Sequence, residues 1–119
     1  MGLTSEKGRV SNPAARRRGI EVDLLLDSGA LYSVVPAPLL RGIGIRPHAT
    51  ETFELADGRR VRRQVGTALF EIGVRQGAST VIFGRLRDPC LLGVLALESM
   101  GLMLDPTRQR LRPIRPLRL

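Results

Sequence analysis

The alternation of apolar and polar positions divides this chain into many short runs. Ile20, Val22 and Leu24 alternate with polar neighbours, and the run then becomes continuously apolar through Leu26, as in a strand entering a core. Val34-Val35 continues an extended stretch from Ser33, which Pro36 and Pro38 end. Pro38 to Ile43 has room for one helical turn closed by Gly42 or Gly44. Thr52 to Leu55 and Arg60 to Val65 flank Asp57-Gly58, and two alternating runs about Asp-Gly form the strongest hairpin signal in the chain. Thr67 to Val74 and Thr80 to Phe83 predict further strands, separated at Gln76-Gly77. Leu91 to Val94 predicts a buried strand, and Leu95 to Met100 a helix with Gly101 as its C-cap. Leu102 to Leu104 and Arg110-Leu111 flank a turn at Asp105-Pro106.

Strands at intervals of about 8–12 residues predict a mainly β domain, a small barrel or sandwich with one short C-terminal helix. With 119 residues there is room for a single core. Residues 1–19 are polar and read as a weak strand or mobile arm, 20–112 as the domain, and 113–119 as a Pro/Arg-rich tail.

Composition changes this picture little. The chain is 43% hydrophobic and 25% charged, as in an ordinary globular protein. The net charge is +8, almost all from arginine, since Lys7 is the sole lysine. The arginines are dispersed over Arg16 to Arg18, Arg59 to Arg63 and the C-terminal tail, and only 3% of residues are aromatic, so base-stacking platforms are scarce. A nucleic-acid partner is not expected. No apolar run is long enough for a signal peptide or a membrane span, and Cys90 is alone, so a soluble cytoplasmic chain is expected. Cys90 reads as a small buried hydrophobe.

Most candidate chemistry falls away on inspection. Gly42-x-Gly44 lacks a third glycine and is followed by Pro47, so it is no dinucleotide loop. His48 is the only histidine, and with one Cys and one His neither a zinc site nor any cofactor is expected. No G-x-S-x-G elbow is present. What remains is LLLDSGALYSVVP, Leu24 to Pro36, in which an aspartate ends a run of leucines. An unpaired carboxylate in an apolar setting is costly, so it needs a partner or a task. Asp-Ser-Gly is also an ordinary turn. Here it follows an apolar strand, precedes Ala30 and an extended run, and is followed much later by Leu91-Leu92-Gly93.

This segment resembles the apolar-apolar-Asp-[Ser/Thr]-Gly-Ala-x-x-[Ser/Thr] signature of the retroviral-like (retropepsin-type) aspartic proteases, including their bacterial relatives. CLLGVLALESMGLMLD resembles the later apolar-apolar-Leu-Gly segment of that family with its short helix and closing strand. FELADGRRVRRQVGTALFEI lies where the family has its flap hairpin. The resemblance spans about residues 21–112. It implies a closed acid-protease β-barrel and a homodimeric endopeptidase acting on peptides or proteins, without membrane or metal. Asp27 would be catalytic, one from each subunit. Ser28, Gly29, Ala30, Leu92 and Gly93 would support the site, and Ala56, Asp57, Gly58 and Arg59 would form the flap tip over the substrate. The alternative is a non-catalytic module of the same fold that binds peptides or dimerises. Two features depart from the family pattern: the polar N-terminus and the prolines Pro113 and Pro116 in the tail. The cationic run Arg59 to Arg63 would favour acidic peptides if it faced the cleft, and a solvated hairpin face is the expectation.

Overall fold

The computed structural model describes residues 4–115; Met1 to Leu3 and Pro116 to Leu119, with the second tail proline, lie outside them. Two strands, β1 (Thr4–Asn12) and β2 (Ala15–Leu26), form a long antiparallel hairpin. Its turn is held by Asn12, whose Oδ1 accepts the Ala14 N–H at 2.9 Å. The polar stretch expected as an arm or weak strand is therefore strand in its described part, apart from the turn at Pro13-Ala14. It also starts β2 five residues earlier than the apolar pattern predicts, at Ala15 rather than Ile20. Backbone pairing on both sides, rather than apolar side chains, sustains this strand: β1 pairs with β2 and, at Arg9 to Ser11, with β5 (Arg60–Ile72).

The remaining strands are β3 (Ser33–Pro36), β4 (Ala49–Glu54), β6 (Arg75–Gly84) and β7 (Cys90–Leu92). The main sheet runs β1-β2-β7-β3-β6-β5-β4. Because β1 also pairs with β5, six strands close into a ring, and β4 hangs from β5 as an edge. The ring contains two parallel pairings, β2 with β7 and β3 with β6. A separate two-stranded sheet joins β8 (Leu102–Asp105) to β9 (Arg110–Pro113), with the Pro113 residue of the tail at an outer strand end where no ladder donor is lost. Asp105 shapes the intervening turn. The backbone N–H groups of Arg108 and Thr107 donate to its Oδ1 and hold its carboxyl below the usual range.

Two short helices complete the chain: α1 (Ala37–Gly42), where the sequence has room for one helical turn from Pro38 to Ile43, and α2 (Val94–Ser99), the expected C-terminal helix. Gly101 ends α2 at φ +70°, the left-handed conformation expected of a C-cap glycine. The turn between β5 and β6 sits at Gly73-Val74 and not at Gln76-Gly77. Gly73 has φ +60°, the value wanted at the first central position of a two-residue hairpin turn, while Val74 is fully exposed. Gly77 is instead a strand residue without a side chain because α2 occupies that space: a Cβ there would lie 2.5 Å from the Ser99 carbonyl oxygen.

Alternation sorts the strands into two faces. Leu24, Leu26, Val35, Phe70, Val81, Phe83, Cys90 and Leu92 point into the ring, where Leu40, Ala96, Leu97 and Met100 from the helices complete the core. Burial pushes the Cys90 thiol pKa up, which keeps it protonated and inert. Among the described residues no helix is long and apolar enough to cross a membrane.

Candidate active site

Asp27 follows β2 directly, and its loop is fixed by backbone bonds rather than by side chains. The Asp27 N–H donates to the Leu92 carbonyl at 3.2 Å, and the Ala30 N–H donates back to the Asp27 carbonyl at 3.2 Å. The Asp27 Oδ1 accepts the Gly29 N–H at 2.8 Å. Asp27 is half-buried, while Ser28 and Gly29 are exposed. Of the three leucines before it, Leu24 and Leu26 enter the core and only Leu25 shares its face, so the leucines do not enclose the carboxylate. The loop presents the acid at the surface of the barrel.

Helix α2 locks this loop from behind. Gly93 precedes the helix and carries no capping side chain, so the first helical N–H groups need partners elsewhere. Val94 N–H donates to the Ala30 carbonyl at 2.8 Å and Leu95 N–H to the Leu31 carbonyl at 3.1 Å. Gly93 itself is required by space: a Cβ would stand 2.6 Å from the Leu31 oxygen and 2.6 Å from the Tyr32 carbonyl carbon and oxygen. Its N–H donates to the Oγ of Ser33 at 3.0 Å, and Ser33 is only 1% exposed. Ser33 joins Asp27, Ala30, Leu92 and Gly93 in one constellation. Sequence reasoning left Ser33 off the candidate site, although it is the last position of the Asp-Ser-Gly-Ala-x-x-Ser signature and a hydroxyl directly before two valines.

The register also places an apolar wall beside Asp27. Leu25 pairs with Leu91, Leu91 with Val34, Val34 with Ile82, and Ile82 with Val65. Residues directly opposite in a ladder share a face, so these five form one row across five strands, on the face away from the core. Four of the five are half-buried, in contrast to their fully buried inward neighbours. These residues, too, are missing from the sequence-derived site. Their signal was the middle leucine of Leu24-Leu25-Leu26, which alternation sends outward.

The β4–β5 hairpin projects over this face. Its tip follows the Asp-Gly chemistry: Gly58 N–H donates to the Leu55 carbonyl at 2.9 Å, and Gly58 has φ +86°. Asp57 accepts the Arg59 backbone N–H at 3.0 Å and its side-chain Nε at 2.7 Å, which holds the Asp57 carboxyl below the usual range. Ala56, Asp57, Gly58 and Arg59 are all exposed, and their hydrogen bonds stay within the hairpin. The hairpin meets the loop lower down, where the Phe53 and Tyr32 rings pack edge to face at 5.5 Å between centroids. That contact defines the cleft side of the hairpin. Phe53, Val61 and Arg63 face the cleft, whereas Arg60 and Arg62 face away, and Arg63 is drawn to the Arg62 carbonyl at 2.9 Å. The cationic run is thus split, with Arg60 and Arg62 on the back of the hairpin and Arg63 on its cleft side.

His48 Nε2 lies 3.4 Å from the Thr67 Oγ1 beneath Phe53 and takes no part in the Asp27 constellation. No cluster of His, Cys, Asp and Glu suited to a metal occurs among the described residues.

The six-strand ring, the Asp loop braced by a Leu-Gly segment and the projecting hairpin define a retropepsin-like fold. The chain is similar in structure to the solution structure of the simian foamy virus (mac) protease, with a TM-score of 0.57 over 80% of this chain and 92% of that one, at 19% identity. No protein-family model and no curated protein matches the sequence.

Proposed function

We propose that the protein is an aspartic endopeptidase whose active site is assembled from two copies of the chain. The observation that carries this reading is the placement of one carboxylate, Asp27, on a rigidly held loop at the end of an apolar wall. Each chain has one Asp-Ser-Gly loop, so a pair of acids requires a second chain, related by a two-fold axis.

The chemistry follows from two carboxylates within hydrogen-bonding reach, which share one proton because both do not ionise readily together. The ionised member takes a proton from water as the water oxygen attacks the scissile carbonyl carbon. The protonated member donates to the carbonyl oxygen, giving a tetrahedral diol. The acid that now holds the proton donates it to the amide nitrogen while a hydroxyl of the diol returns a proton to the other carboxylate, so that the C–N bond breaks, the carboxylic acid product forms and the pair again holds one proton. Ser28 would hydrogen-bond across the axis, and Gly29 would let the two loops approach closely. The row from Leu25 to Val65 would take up apolar side chains of the peptide, and the hairpin would close over it and exclude water.

A second reading, a peptide-binding module without catalysis, is favoured by the free edge of β4, which ends the sheet and can accept an extended strand. A mixed peptide library distinguishes the two. An endopeptidase cuts internal bonds and leaves free new termini, whereas a module retains peptides intact over the whole range of pH.

The hairpin tip supplies a further prediction. A side chain at Gly58 would meet nothing within 4 Å, so the obstacle to Gly58→Val is the positive φ alone, worth about 1–2 kcal/mol. Because residues 54–60 are exposed, this strain is expected to distort the tip and leave the barrel intact. Turnover on a cleaved peptide should fall at least several-fold with the thermal midpoint nearly unchanged. Parallel losses in both would place the hairpin in the core.

A further inference from the structure

The apolar row beside Asp27 ends at Val65, and a cavity of about 440 Å³ opens there, lined by the wall and by β4. Tyr32, the last residue of the Asp27 loop, and Phe53 of β4 both line it with their rings packed edge to face. Val65 is 3% exposed, Tyr32, Phe53 and Thr80 are half-buried, and His48 and Glu51 are exposed. The cavity is therefore apolar in its depth and polar at its mouth.

Charge at this mouth runs against that of the whole molecule. The chain has 19 lysines and arginines, yet among the described residues none lines the cavity, whereas Glu51 and Glu54 do. Glu54 belongs to the back of the hairpin, where Arg60 holds it at 3.7 Å. Glu51 is two residues from Phe53 and shares its cleft face. Its cross-strand neighbour Arg63 shares that face too, but donates to the Arg62 carbonyl at 2.9 Å. Glu51 is thus left without an ion pair among the described residues.

The backbone of β4 fixes how a peptide would meet this cavity. Leu55 N–H donates to the Arg59 carbonyl at 2.7 Å, so 55/59, 53/61 and 51/63 are the bonded pairs of the ladder. Thr52 and Glu54 therefore turn their backbone N–H and C=O groups to the free edge on either side of Phe53. An extended peptide bonded to that edge turns every second side chain to the cleft face.

We infer that the cavity is a specificity subsite for a lysine or arginine side chain of the peptide substrate. The methylene stem lies against Tyr32 and Phe53, whose rings also attract a cation, and the head group pairs with Glu51 at the mouth. Tyr32 is five residues from Asp27, at most about 18 Å of chain, so the basic residue lies within about five positions of the cut. The inference rests on the peptidase reading, and the preference it assigns is opposite to the acidic one that Arg59 to Arg63 would impose from the cleft.

The test uses labelled decapeptide libraries that carry lysine, norleucine or glutamate at one fixed position and mixed residues elsewhere. Initial cleavage rates are measured with wild type, and retention of the same libraries is measured with Asp27→Asn. At one position near the cut, lysine should exceed norleucine by about fivefold, and glutamate should rank last. In both backgrounds Glu51→Gln should bring the lysine-to-norleucine ratio near one, and Glu51→Lys should put glutamate first. Glu21→Gln removes the same charge from β2 and should keep the lysine preference, which separates local from net charge. A Glu51-dependent lysine preference in retention, with no library cut by wild type, would defeat the peptidase reading and leave the subsite standing. Cleavage with lysine and norleucine equal, with glutamate first as Arg63 would select, or with a lysine preference unmoved by Glu51→Gln would overturn the inference. Absence of both cleavage and retention would overturn it as well.

Discussion

Asp27→Asn is expected to give a folded protein whose peptidase activity has fallen at least about a thousandfold, the middle of the range for general acid–base catalysis. The substitution isolates the chemistry because it spares the loop. The asparagine Oδ1 can still accept the Gly29 N–H that Asp27 accepts at 2.8 Å, and both backbone bonds of residue 27, to Leu92 and from Ala30, are untouched. What disappears is a group able to take a proton from water, and it disappears from both copies at once. The thermal midpoint of the variant should stay within a few degrees of wild type. Activity close to wild type in the purified variant would locate the chemistry elsewhere in the molecule.

Gly93→Ala is expected to disrupt the Asp27 loop although it adds a single methyl group. The backbone of Gly93 is ordinary, with φ −90° and ψ 175°, so conformational strain is not the issue. The added carbon would meet three backbone atoms of Leu31 and Tyr32 at 2.6 Å, and backbone yields far less easily than a side-chain tip. Relief requires the 30–32 segment to move off α2, breaking the bonds from Val94 and Leu95 and uncoupling the Ser33 hydroxyl. Overpacking of this kind costs about 1–3 kcal/mol. Catalysis should suffer more than stability, because the displaced segment holds the Asp27 loop through the bond from the Ala30 N–H to the Asp27 carbonyl. Activity within twofold of wild type would mean that the loop is looser than these contacts imply.

Both sites of disruption were partly legible in the sequence. Asp57-Gly58 and Gly101 declared a hairpin and a helix end through local backbone demands that any fold would have to meet, and both residues have positive φ. The Asp27 loop was legible as a signature, and the outward position of Leu25 could have been had from alternation. The N-terminal hairpin was obscured because its strands are held by backbone pairing and carry mostly polar side chains, with Val10 as the one inward apolar residue of β1. Its only local sign was Asn12-Pro13. Ring closure could not be seen at all, since Val10 meets Phe70, sixty positions further along the chain. Gly77 misled for a related reason: it looked like a turn, yet it is glycine because Ser99 of α2 leaves no space for a side chain.

The central claim is that one active site needs two chains, and dilution tests it most directly. Specific activity is measured on a cleaved peptide as the protein is diluted, with oligomeric state followed by sedimentation over the same range, and wild type is then mixed with excess Asp27→Asn. If Asp27 from both copies forms the site, specific activity falls in step with dimer, at micromolar concentrations for a dimerisation free energy of about 8 kcal/mol. The excess variant then suppresses activity by drawing wild-type chains into mixed dimers. Constant specific activity down to concentrations at which sedimentation finds only monomer, with no suppression by Asp27→Asn, would contradict the shared site.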